Sequence, residues 1–144
     1  MAARSEAGGG SMRRPDWEQQ LASYLASVEA RAFAWGEHDC ATNCANAVAA
    51  MTGIDFAAPF RGKYRTRRGS LQALRRYGAG TLEATIDSLF PEIAPAFAGR
   101  GDLVLIDGML GIVIGADAVC VGRDGDREGL VRFARSNWSK AWRI

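Results

Sequence analysis

The chain has 144 residues, 48% hydrophobic and 24% charged, with a formal net charge of +2. This length and composition describe one folded domain with a real core, and exclude a disordered, fibrous or collagen-like chain. The charge is too small to demand a polyanionic partner, three cysteines make no disulfide framework and suit a reducing compartment, and no apolar run reaches a membrane span of about 18 residues.

Residues 1–11, "MAARSEAGGGS", are small, polar and glycine-rich, and are expected to form a disordered leader before a single domain over 12–144. The N-terminus lacks the basic-then-apolar layout of a signal peptide. A helix is predicted from Asp16 to about Ala32, with Asp16 as cap, Gln19 three residues on, and Trp17, Leu21, Leu25 and Val28 on one face. Trp35 and Gly36 precede a second helix, Cys40 to Met51, and are expected to fix its entry turn. Asp39 is its N-cap and Gly53 its stop, and its alanines (Ala41, Ala45, Ala47, Ala49, Ala50) permit close packing. Residues 56–69 form an irregular connection. Ser70 is expected to cap a helix ended by Gly78, and "TLEATIDSLF" forms a shorter one before Pro91.

Beyond residue 100 the pattern changes. "GDLVLIDG", "LGIVIG", "AVCVG", "GLVRFAR" and "KAWRI" are short β-branched runs separated by Gly and Asp, which predicts an antiparallel meander of about five strands. Helices followed by strands imply an α+β domain with a helical layer on one sheet.

The residues that carry chemistry centre on Cys40. A cysteine in the first turn of a helix meets unpaired N–H groups and the positive end of the dipole, which lowers a thiol pKa, while the Asp39 charge opposes the effect. A buried apolar role suits the same position. His38, Cys40 and Cys44 form H-x-C-x3-C, but that spacing matches no usual zinc signature, and no metal or cofactor is expected. Cys120 is expected in the sheet core.

"WGEHDC" opening an Ala-rich helix, then "GDLVLI", then "GIVIG", resembles the NlpC-type papain-like cysteine hydrolases. "RGKYRT", "LGIVIG" and the terminal "AWRI" further resemble a phage and prophage family of unknown function within that superfamily, whose members commonly occur among tail genes. The resemblance covers roughly residues 33–144 and implies a papain-like (NlpC-type) fold. It places Cys40 at the nucleophile, Asp39 before it, and Gly101 and Asp102 at the strand-start motif. The catalytic histidine of those enzymes falls at or just before Gly111, where this chain has Leu110, a residue that accepts no proton. His38, on the nucleophile's own side, is the remaining candidate base for Cys40, but is more readily expected to cap or to hydrogen-bond its loop. Asp107 and Asp117 are poor substitutes, because a carboxylate disfavours a neighbouring thiolate.

Between Asp55 and Glu83 there is no acidic residue, while Arg61, Lys63, Arg65, Arg67, Arg68, Arg75 and Arg76 are cationic, with Tyr64 and Tyr77 among them. Such a stripe suits a nucleic-acid contact, a solvated face, or a dock for an acidic partner, and the small net charge argues against nucleic acid. Three functional readings follow. One is a degenerate NlpC-like domain acting as a tail-associated binding or assembly protein, cytoplasmic until assembly. Another is an active amidase or peptidase cleaving cell-wall peptides through Cys40, with Trp35, Asp39, Asp102 and Leu110 framing the site. The third is a nucleic-acid-binding module. Phage tail proteins or cell-wall peptides are the partners that the resemblance implies, and no membrane is involved.

Overall fold

A computed structural model describes residues 12–122 and 129–144. The expected leader lies outside the described residues. Among the described residues, four α-helices precede or flank one sheet: α1 (Trp17–Val28), α2 (Cys40–Thr52), α3 (Arg67–Tyr77) and α4 (Leu82–Leu89). The strands are β1 (Glu92–Ile93), β2 (Leu103–Ile106), β3 (Met109–Val113), β4 (Asp117–Val121), β5 (Leu130–Ala134) and β6 (Lys140–Trp142).

The domain is α+β, as its sequence pattern predicts, but the sheet has six strands rather than five, in the order β1-β6-β2-β3-β4-β5. Every pairing is antiparallel. Only β2 to β5 form the expected meander. β6 crosses to the other side of β2, pairing Trp142 with Leu103, and the two-residue β1 adds outside it. A strand that short carries no alternation to detect, and its existence depends on a partner about 50 residues away.

Asp107 and Gly108 join β2 to β3 with positive φ of 54° and 79°, the backbone that a two-residue hairpin of matching twist requires. Leu103, Leu105, Leu110, Ile112, Val119 and Trp142 face the helices, where they meet Leu21 of α1, Cys44, Ala47, Val48 and Met51 of α2, and Ile86 of α4. Val104, Ile106, Val113, Ala118 and Cys120 face the other way and are covered by Ala98 and Trp138. Burial on both faces explains why "LVLI" is continuously apolar instead of alternating.

Two helix starts differ from expectation. The Asp16 side chain caps no helix N–H; its carboxylate accepts from the Gln20 side chain at 2.9 Å, while only its backbone carbonyl takes the Gln20 N–H. α3 begins one turn before Ser70, because the Thr66 hydroxyl accepts from Gly69 N at 2.9 Å and caps the helix there. Ser70 instead donates to the Arg67 carbonyl within the first turn. The stop of α2 is as expected: Gly53 takes the left-handed conformation (φ 81°) and returns its N–H to the Ala49 carbonyl at 2.7 Å.

Candidate functional site around Cys40

Cys40 is the first residue of α2, partly buried, and packs on the helix-side core. The residue that organises its surroundings is Asp39. One carboxylate oxygen accepts from Thr42 N at 2.9 Å, while Thr42 Oγ1 accepts from Asp39 N at 2.9 Å, a reciprocal cap that satisfies two donors at the helix start. The other oxygen accepts from Gly36 N at 2.9 Å and from the Tyr64 hydroxyl at 2.6 Å. Burial and the Asp39 charge both push the Tyr64 pKa up, so the phenol keeps its proton.

Gly36 has φ 81°, and a Cβ there would overlap the Tyr64 carbonyl oxygen. "WGEHDC" and "RGKYRT", some 25 residues apart, are therefore one structure. The loop between them and α2 is closed by backbone bonds between Ala34 and His38 (3.0 and 2.7 Å), with Trp35 edge-on to Phe33 at 4.8 Å.

His38 is 0% exposed, and neither ring nitrogen has a hydrogen-bond partner. Its backbone, not its ring, makes the loop's bonds, and α2 is capped by Asp39, so the ring fills neither expected role. Burial lowers the imidazole pKa below the ordinary 6.5, helped by Arg31 and opposed by Asp39. One turn into α2, Asn43 is also fully buried; its Oδ1 accepts from the Tyr24 hydroxyl at 2.7 Å, and its Nδ2 is unpartnered.

Leu110 lies in β3, opposite Leu105, at 0% exposure in the same apolar cluster on which Cys40 packs. The sheet position at which a base was expected is packed core. Cys44, fully buried, has its thiol pKa pushed up by burial, with Cys120, Cys40 and Asp39 adding to it. None of the three cysteines is in a disulfide, and no group of His, Cys, Asp or Glu among the described residues is arranged to hold a metal ion. Asp107 is exposed in its hairpin turn, and Asp117 faces Arg132 at 3.8 Å.

Asp102 does not frame this site. Gly101, beside it, lies against Met51 near the end of α2, some 16 Å along the helix from Cys40 at about 1.5 Å per residue. The buried Asp102 carboxylate accepts from Arg13 Nη2 at 2.8 Å, Gly99 N at 2.9 Å and Ile144 N at 3.1 Å. Arg13 also donates to the carbonyls of Arg100 and Ile144 and lies over the Trp17 ring at 4.2 Å.

The basic stretch divides. Arg61 binds Asp55 through Nε at 2.7 Å and reaches Asn46 at 2.6 Å, which removes it from any free cationic surface. Lys63, Arg65, Arg67 and Arg68 are exposed. Sequence reasoning missed Tyr64 and Arg13 as partners of the two aspartates. Thr42 was missed as well, although a hydroxyl residue three places after an Asp cap is a local signal. Tyr64 and Arg13 leave no local signal.

Residues 12–144 match the family described as "Domain of unknown function (DUF6950)", and the chain belongs to it. No curated protein matches the chain.

Proposed function

We propose that this family member is a papain-like domain of NlpC type that has kept the frame of a cysteine hydrolase and lost its general base. It serves as a binding or assembly component of a phage or prophage tail, made in the cytoplasm and carried into the virion. The observation that carries this reading is Leu110, fully buried in the cluster under Cys40 at the position where the resemblance expects an imidazole. A thiol nucleophile needs a partner that takes its proton, and an aliphatic side chain takes none. Asp39 cannot stand in, because both oxygens are occupied by four donors that build the turn. The tail setting comes from the resemblance alone.

One observation favours the active amidase as a second reading. His38 is the only histidine of the chain, its ring is held neutral by burial, and both nitrogens lack partners two residues from Cys40. Incubation of the protein with cell-wall stem-peptide fragments, followed by mass spectrometry, separates the two. The first reading predicts no cleavage above that of Cys40→Ala. Cleavage abolished by both Cys40→Ala and His38→Gln would replace it with the second.

A further inference from the structure

α3 contributes little to the core. Of its eleven residues only Ala73 is buried, and its main packing is on the short turn at Ala58–Phe60, where Phe60 and Tyr77 meet edge-on at 6.4 Å. A helix that buries so little is not explained by core formation. Its outward side is cationic: Arg67, Arg68, Arg75 and Arg76 on the helix, with Lys63 and Arg65 on its approach, all exposed. None of the six has a carboxylate partner among the described residues, in contrast to Arg61, Arg13 and Lys140. Arg67 and Arg68 stand in the first turn, at the positive end of the helix dipole, where a cation is placed against its own stability.

The geometry of the stripe favours one kind of polyanion. Arg68, Leu71, Gln72 and Arg75 follow the i, i+3, i+4, i+7 spacing of a single helix face, so Leu71, 48% exposed, lies between two arginines. An apolar anchor among arginines is protein-interface anatomy. The one aromatic ring on the helix is poorly placed for stacking on nucleobases. Lys63 and Arg76 lie over the Tyr77 ring at 5.4 and 5.6 Å, and Phe60 meets it edge-on. Single-strand binders need open aromatic faces.

We infer that the outer face of α3 docks an acidic protein segment, whose carboxylates pair with Arg68 and Arg75 around an apolar side chain seated on Leu71. This deepens the assembly reading by naming the partner's chemistry, yet it is read out at α3 and does not depend on whether Cys40 cuts.

The test uses the full chain and two labelled probes of equal charge, a glutamate-rich helical peptide with one central leucine and a single-stranded DNA oligomer, followed by fluorescence anisotropy. The expected result is tighter binding of the peptide, weakened about tenfold in Arg68→Gln/Arg75→Gln and weakened as well in Leu71→Ser. Raising the salt should weaken it further. Equal peptide binding by the parent and the double arginine variant would overturn the inference. So would tighter binding of the DNA that responds to the arginines and ignores Leu71→Ser. Circular dichroism of each variant verifies that α3 is intact, and Arg132→Gln, which removes one positive charge on β5, serves as an off-site charge control expected to leave peptide binding unchanged.

Discussion

Asp39 and Asp102 are the same residue type, almost equally buried at 2% and 3% exposure, yet they are held by different chemistry. Asp39 is surrounded by neutral donors, two backbone N–H groups and two hydroxyls, and three of those four lie within three residues of it. Asp102 is held by a guanidinium from one end of the domain and a backbone N–H from the other, with Arg143 Nε at 3.5 Å. The first builds a local turn. The second joins Arg13 and Ile144 to the entry of β2. Both aspartates are consumed by architecture.

Removing Asp102 should do the most damage. Asp102→Ala takes from Arg13, whose side chain is only 12% exposed, the carboxylate it meets at 2.8 Å, and a broken buried pair costs about 3–5 kcal/mol. Urea unfolding should show that loss, and Arg13→Met/Asp102→Leu together should cost less than Asp102→Ala alone. Asp39→Ala should cost about 2–3 kcal/mol, from the lost cap and the stranded Tyr64 hydroxyl, with the effect confined to the start of α2 in amide exchange. Gly36→Ala, forced to φ 81° against the Tyr64 carbonyl, should cost more than the about 1–2 kcal/mol of the left-handed backbone alone and loosen the same turn.

The smallest effect is the pH response of His38. Its folded pKa is depressed, so between that value and the unfolded 6.5 the unfolded chain binds more protons than the folded one. Stability should therefore rise with pH through this window and be lost as pH falls. His38→Gln should flatten that dependence, and any offset in stability from the substitution itself should be the same at pH 5 and pH 8.

The local chemistry was legible where neighbours in sequence are neighbours in space. Asp39 and Gly53 bracket α2 as their types demand, and the β-branched runs mark β2 to β6. The misplaced start of α3 came from Gly69. In "RTRRGS" it looks like part of the connection, but it lies in the first helical turn, where even a Cβ would sit 3.1 Å from Tyr64 Cβ and Thr66 Oγ1. What stayed hidden was long-range. The bond from Arg13 to Asp102 spans 89 residues, and β1 exists only because β6 passes beside it. The resemblance drew attention to Leu110, whereas its complete burial came only with the fold.

We propose that Leu110 stands where a nucleophile at Cys40 would need its base. The alkylation rate of Cys40 by iodoacetamide, followed against pH with mass-spectrometric assignment in the parent chain and in His38→Gln, tests this most directly. The account predicts a single titration with the same profile in both proteins. A fast plateau at low pH that collapses in His38→Gln would reveal a thiolate–imidazolium pair and contradict it.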